Sequence, residues 1–291
     1  MSFQKHTKNG IIYYTCDLFD KAKIPHFFAA SRGGVSEGDF SSLNISTSRK
    51  GKNGCPDKIE NVRKNLSLGL DIVGSCENKA VMMKQIHSSD VQKATTNCTS
   101  AFEGSDFQPC DGVFATRGMD TDTLCVKTAD CVPVLLYDTK NDTACAIHAG
   151  WRGTCDNICG KAVEKMKSLY PDADVIAAIG PCILDCCYEV NEIVYDKVMQ
   201  TANSIGISKE KVEECFPKKY FADGEEKFRV SLPKINRMFL EKAGVAPENI
   251  EESGLCTCCH KDMHGNLFFS HRASHGFSGT QMSIIKVRDV H

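Results

Sequence analysis

Apolar positions along the chain change spacing several times, and each change marks an element. After Pro56, the residues Ile59, Val62, Leu66 and Leu70 recur three or four apart, which predicts a helix with Asp57 placed to cap it. Residues 80–86 read as a strand that ends on Gln85 and His87. From residue 123 the runs become strand-like: TLCVKTAD, then VPVLLYD, then TACAIHAG. The last two are joined by Thr139, Lys140, Asn141 and Asp142, the composition of a hairpin loop. Helical spacing returns after the turn-like Gly150-Trp151-Arg152-Gly153-Thr154. There Ile158, Ala162, Val163, Met166 and Leu169 form one stripe that Pro171 closes. Residues 174–180 (DVIAAIG) read as a strand, 191–203 as a helix, and 232–244 as a helix ending on a capping glycine. LFFSHR and QMSIIKV read as closing strands. Strands and helices alternate with antiparallel joins, so the pattern predicts an α/β (α+β) chain in which helices cover mixed sheets. Only residues 46–56 and 97–109 read as loose, and neither separates two bodies, so one domain is expected.

Composition narrows the function classes. The 291 residues carry 35 Lys+Arg against 37 Asp+Glu, a formal charge of −2, which lacks the positive excess that contact with a nucleic-acid backbone uses. With 42% hydrophobic and 25% charged residues the chain has a core to bury. No apolar run approaches the ~18–20 residues of a membrane span, and the first residues lack the basic-then-apolar layout of a signal peptide. A soluble, cytoplasmic, monomeric protein without nucleic-acid or membrane partners is the expectation. The 17 cysteines are odd in number and scattered, unlike a disulfide framework. They divide into small buried apolar groups, metal ligands and a nucleophile.

The hairpin concentrates the chemistry. Pairing Asp138 with Thr143 fixes its register, and counting back along both strands puts His148 opposite Pro133. Cys131 lies two residues before Pro133 on the same face, so Cys131 and His148 are diagonal neighbours. His87, at the end of another predicted strand, is a third donor for the same point. A His₂Cys set suits Zn²⁺ better than copper and leaves a fourth tetrahedral position for substrate or water. TADC (128–131) adds the carboxylate of Asp130. HAGWRGT (148–154) adds a glycine turn, Arg152 and a helix start, the features of an anion site.

These motifs carry a resemblance. QIHSSDV (85–91), CDGVFAT (110–116), TADCVPVLL (128–136), AIHAGWRGT (146–154), IGPCI followed by CYEV (187–190), and FFSHR (268–272) resemble the YfiH/YlmD family, also called polyphenol oxidase, laccase-domain or peptidoglycan editing factor. SRGGVSEGDFSSLNI (31–45) is similar to its N-terminal motif. The resemblance implies a four-layer α/β/β/α sandwich, with residues 1–25 as an N-terminal strand segment of the same domain and 26–291 as the catalytic domain. It implies zinc on His87, Cys131 and His148. It further implies phosphorolysis of adenosine, inosine and S-methyl-5′-thioadenosine, with hydrolytic deamination of adenosine, so the expected partners are a purine nucleoside and phosphate. A zinc ion with an open position lowers the pKa of bound water to about 7, which suits attack at C6 of adenine. Asp111 and Asp130 are proton-transfer candidates, and Arg152 is a catalytic candidate. Arg32, Arg272, Asn44 and Gln85 are candidates for holding substrate. Where the family often has further arginines, this chain has Ala273 and Thr280.

Three rivals stand beside this reading. A multicopper oxidase needs H-x-H pairs, and none of the nine histidines is so spaced. A cysteine amidase or deamidase, with Cys131 as nucleophile and His148 as base, fits the same residues and the editing role assigned to some family members. A structural zinc module would use Cys256, Cys258, Cys259, His260 and His264 with Cys182, Cys186 or Cys187, but it lacks a second C-x₂-C pair. Burial as small apolar groups is the expectation for the Cys256–Cys259 cluster.

Overall fold

The computed structural model describes residues 3–94 and 108–288; of the loose stretch 97–109, all but the last two residues lie outside the described residues. Two six-stranded sheets form the body. The first runs, in spatial order, β1 (Phe3–Lys8), β2 (Ile11–Cys16), β3 (His26–Ala29), β17 (Gln281–Lys286), β7 (Thr123–Thr128) and β4 (Ala80–Met82). The second runs β14 (Ile250–Glu252), β10 (Val175–Ile179), β8 (Val132–Asp138), β9 (Thr143–Ala149), β6 (Gly112–Thr116) and β5 (Val91–Lys93). Both are mixed: β4 pairs parallel to β7, β5 to β6 and β14 to β10, while the other ladders are antiparallel. A three-stranded antiparallel sheet of β11 (Glu189–Asn191), β13 (Glu225–Arg229) and β12 (Lys218–Ala222), and a short hairpin of β15 (Lys261–Asp262) and β16 (Gly265–Asn266), complete the strands.

The pleat explains why β8 and β9 read as continuous apolar runs. Val132, Val134, Leu136, Cys145, Ile147 and Ala149 face one core; Leu135, Tyr137, Ala144 and Ala146 face another. That second core also takes Phe28, Val81, Leu124, Val126 and Ile285 from the first sheet, so the two sheets pack face to face. Helix α4 (Ile158–Leu169) buries Ile158, Ala162, Val163 and Met166 on the outer face of the second sheet, and α5 (Glu192–Ser204) and α7 (Leu232–Lys242), packed on the helices beside it, add Val194, Val198, Ile235 and Phe239 to the same core. Helix α2 (Ile59–Leu70) lays Val62, Leu66 and Leu70 on Phe27, Met82 and Ile284 of the first. Short helices α1 (Asp17–Lys21), α3 (Trp151–Cys155) and α6 (Lys209–Glu213) fill the connections. Among the described residues no helix is long and apolar enough to cross a membrane.

Three expectations are corrected. Lys58, not Asp57, is the N-cap of α2; the Asp57 carboxylate instead accepts from Ser36 Oγ at 2.6 Å and Asn44 Nδ2 at 2.8 Å. The strand at residues 80–86 stops at Met82, and Gln85 takes over the pairing with its side-chain amide. Its Nε2 donates to Lys127 O at 2.7 Å and its Oε1 accepts from Lys127 N at 2.9 Å. In LFFSHR the first four residues are buried and His271 and Arg272 exposed, and the segment is no strand. Leu267 O accepts from Ser31 N, and Phe269 N donates to the side chain of Gln281, so its partners are a loop and a side chain rather than a ladder.

Candidate active site and metal centres

The β8–β9 register sets Pro133 opposite His148, as the hairpin arithmetic predicts. Cys131 ends the turn before β8, and His148 lies near the end of β9. His87 sits in the loop after β4 with φ of 62°, a left-handed conformation that a non-glycine residue adopts only when its surroundings hold it. That hold comes from Asp111. Its wholly buried carboxylate accepts from the backbone N–H groups of Ile86 (3.1 Å), His87 (3.0 Å) and Ser88 (2.6 Å), and from Ser88 Oγ (2.9 Å). It also accepts from His148 Nδ1 at 2.7 Å, while His148 N donates to Asp111 O. With Nδ1 carrying the proton, His148 Nε2 is the free donor atom facing the site.

The donor atoms of His87, Cys131 and His148 all lie within 4.8 Å of one another, and Cys131 Sγ is 4.0 Å from His87 Nε2. Gly150 closes the cradle. A Cβ there would stand 2.9 Å from His87 Cδ2 and 3.3 Å from Cys131 Sγ, so only glycine leaves the trio room. His87 is exposed and His148 buried, which opens the group to solvent on one side. Burial pushes the Cys131 thiol up, but the charges and hydrogen bonds of His148 and His87 outweigh it and bring it down to about 6. Burial pulls His148 down, and Cys131 and Asp111 together raise it to about 9. Burial likewise raises Asp111, and its bonds from His148 and Ser88 hold it below its ordinary value. The site favours a thiolate at Cys131, the form that ligates a metal or attacks a carbon.

The remaining candidates separate. Asp130, at φ 88°, accepts from Thr257 Oγ1 and from Arg272 N, both at 2.7 Å. The Arg272 guanidinium donates to the carbonyls of Cys187 and Glu189 and lies over the ring of Tyr188. Arg32 pairs with Asp262 at 3.1 Å and donates to Asn266 O. Asn44 is buried, bonded to Asp57, Ser46 and Thr280. Gln85 holds the Lys127 backbone. Arg152 is exposed at the start of α3, its guanidinium 4.3 Å from the Trp151 ring centroid.

Sequence reasoning missed Arg49, His271 and Tyr188. Arg49 Nη1 lies 3.0 Å from His271 Nδ1. Burial lowers the Arg49 pKa against the opposing charges of Cys131 and Asp130, which it approaches; burial, then Arg49, also lowers His271. Burial and Cys131 raise Tyr188. His271 and Tyr188 stand inside the FFSHR and CYEV motifs, which was a usable signal. Arg49 stands in a stretch that reads as loop.

A second group also converges. Cys186, Cys187, Cys256 and Cys259 bring their sulfur atoms within 4.8 Å of one another and can hold a metal ion. Cys258, His260, His264 and Cys182 are not part of it. The expected burial does not hold, because Cys186 and Cys259 are exposed and only Cys256 is buried.

Comparison with known proteins finds relatives that match nearly the whole chain. A purine nucleoside phosphorylase of Bacteroides thetaiotaomicron is 32% identical over 276 residues, 93% of this chain and 94% of its own. Purine nucleoside phosphorylase YlmD of Bacillus subtilis is 30% identical over 267 residues, 90% and 88% of the two chains. The crystal structure of YlmD from Geobacillus stearothermophilus superposes with a TM-score of 0.82 at 27% identity, covering 99% of both chains. A family model described as multi-copper polyphenol oxidoreductase laccase matches residues 25–288, and the chain belongs to that laccase-domain family.

Proposed function

We propose that the chain is a zinc-dependent purine nucleoside phosphorylase that acts on adenosine, inosine and S-methyl-5′-thioadenosine and also deaminates adenosine. The observation that carries this reading is the His87–Cys131–His148 group, braced by Asp111 and flanked by Arg49 and His271. The names of the relatives support the reaction class. The four-layer α/β/β/α order belongs to the same reading, supported by one core between the sheets and one on each outer face.

The donors fit zinc. Two imidazoles and a thiolate are its preferred ligands, Asp111 fixes the tautomer of His148, and Gly150 keeps the cradle clear. Zinc there supplies a Lewis acid that polarises an oxygen or nitrogen of the reacting groups. In phosphorolysis a phosphate oxygen bonds to ribose C1′ while the C1′–N9 bond breaks. The electron pair leaves on the purine, which takes up a proton, giving the free base and ribose 1-phosphate, or 5-methylthioribose 1-phosphate from S-methyl-5′-thioadenosine. Arg49, with His271 beside it, is the cation for orienting phosphate, since the guanidinium groups of Arg32 and Arg272 are spent on internal carboxylate and carbonyl acceptors. Arg152, exposed at the start of α3, is the second cation of this reading. Asp111 is a positioning residue: five donors occupy its two oxygens.

The test is product analysis of zinc-loaded protein with each nucleoside, with and without phosphate. Phosphate-dependent release of free base together with the matching sugar 1-phosphate is expected, and inosine from adenosine without phosphate. Base release that ignores phosphate, or none, would refute the phosphorylase reading. One observation favours a second reading, a Cys131–His148–Asp111 hydrolase: the lowered thiol and raised imidazole resemble an activated nucleophile pair. Rapid alkylation of Cys131 in metal-loaded protein would favour it.

A further inference from the structure

We infer a second metal site: a closed, tetrahedral Zn²⁺ centre on Cys186, Cys187, Cys256 and Cys259, structural rather than catalytic, that fixes the wall of the candidate active site. It does not depend on the proposed reaction. The four thiols come from two loops, one between β10 and β11 and one between β14 and β15, which the backbone already joins. Cys182 N donates to Leu255 O at 3.2 Å, and Thr257 N to Cys182 O at 2.9 Å. Zn–S bonds of about 2.3 Å require sulfur atoms roughly 3.8 Å apart in a tetrahedron. Cys186 Sγ and Cys259 Sγ are 3.7 Å apart, and all four sulfurs fall within 4.8 Å.

Neither apolar filling nor a disulfide accounts for the cluster as well. Thiols that serve as apolar filling are buried, whereas Cys186 and Cys259 are exposed and Cys187 half-buried. A Cys186–Cys259 disulfide would leave Cys187 and Cys256 crowded against it with no purpose. At Cys256 the backbone N–H of Leu184 points at Sγ (3.5 Å), the kind of outer-shell bond that stabilises a charged metal–sulfur centre. Four protein ligands leave no open position, hence no chemistry at this metal.

The centre's role follows from what these loops hold. Ile183 N donates to Asp130 O and Thr257 Oγ1 to Asp130 Oδ1, next to Cys131. The carbonyls of Cys187 and Glu189 hold the Arg272 guanidinium. Tying the two loops through a metal therefore fixes the residue adjacent to one ligand of the first site.

The test needs no variant at first. Full-length wild-type protein, purified under reducing conditions, is treated with iodoacetamide and its peptides weighed, before and after a chelator. Cys55 and Cys76, exposed and outside either group, label at once and serve as the internal standard. Cys186 and Cys259 are as exposed as these, yet they are expected to stay unlabelled until the chelator is added. Labelling at the rate of Cys55 before chelation overturns the proposal, as does a Cys186–Cys259 disulfide in protein prepared without oxygen. Elemental analysis should then find two zinc ions per wild-type chain and one each in Cys131→Ser and in the Cys186→Ser/Cys259→Ser double variant, with Cys258→Ser retaining both. Cobalt substitution separates the sites. The strong sulfur-to-cobalt absorption of a four-thiolate centre should persist in Cys131→Ser and vanish in the double variant. Its absence from wild type would refute the assignment.

Discussion

Asp111→Asn isolates the residue on which the first site is built. The carboxylate has two oxygens and receives five donors: three backbone N–H groups, one hydroxyl and the His148 imidazole. An amide keeps one oxygen and puts an NH₂ where the other stood. If Oδ1 survives, the N–H groups of Ile86 and Ser88 face a donor; if Oδ2 survives, His87 N and His148 Nδ1 do. Either way two buried donors lose their acceptor, at about 1–3 kcal/mol each. The His148 ion pair is weakened as well, so a loss of about 3–5 kcal/mol in unfolding free energy is expected. Metal affinity at the trio should fall roughly 10–100-fold, because His148 loses the bond that fixes its tautomer and His87 the bond that holds its left-handed backbone. Denaturant unfolding measures the first quantity and chelator competition the second, with Cys131→Ala as the control that loses metal while keeping the network. An Asp111→Asn protein with wild-type stability and wild-type zinc affinity would refute the reasoning.

The other perturbations are more local. Arg49→Ala should raise the KM for phosphate at least tenfold more than the KM for nucleoside in initial-rate assays, since a phosphate clamp acts on one substrate; equal losses would make Arg49 a packing residue. Gly150→Ala should weaken metal binding at the trio in the same chelator titration while far-UV circular dichroism stays unchanged, because its Cβ would press on His87 and Cys131. His26 is neutral in the fold, with Nε2 accepting from Cys16 N at 2.7 Å and Nδ1 donating to Ile24 O at 2.8 Å. Burial lowers it from 6.5 to about 4, so the unfolded chain binds a proton that the fold rejects, and stability is full above pH ~6.5 and falls toward pH 4 by about 3 kcal/mol in total. His26→Gln should flatten that part of the pH–stability curve.

Legibility followed the range of the forces involved. The β8–β9 register was readable because a short loop and a two-residue period leave one solution, and it carried Cys131 and His148 with it. Equally local signals went unread. Asn9-Gly10, at φ 52° and 82°, turns β1 into β2, and Asp223-Gly224, at 52° and 81°, turns β12 into β13, both as left-handed hairpin turns. LFFSHR misled because burial of Leu267, Phe268 and Phe269 looks like a strand until the Gln281 side chain is seen to take a ladder's place. Arg49 was not legible from spacing, and although the structural-zinc alternative names all four cysteines of the second group, spacing does not separate them from Cys182, Cys258, His260 and His264. Cys256 and Cys259 show a C-x₂-C pair, but their partners are adjacent cysteines about seventy residues earlier, joined only by the meeting of two loops.

Both metal groups meet at one dipeptide, Asp130-Cys131. Cys131 supplies a ligand to the first group, while Asp130 ties Thr257 and Arg272, and through them the loops of the second, to the same turn. A side chain at φ 88° costs about 1–3 kcal/mol and persists only where its bonds hold it. This separates two roles for Asp130 that the sequence leaves open. As a link, it needs an acceptor for Arg272 N and one polar atom for a hydroxyl that can donate or accept. Asparagine supplies both and tolerates a left-handed backbone. As a proton carrier, it needs the carboxylate itself, and its loss would lower turnover by about 10²–10⁴-fold. The bonds account for both oxygens, so Asp130→Asn should keep zinc content and turnover within a few-fold of wild type. Asp130→Ala, which strands Thr257 and Arg272 N, should lose stability and turnover together. A collapse of kcat in Asp130→Asn, with fold and both metals retained, would make Asp130 a catalytic residue and return the proton to this strand end.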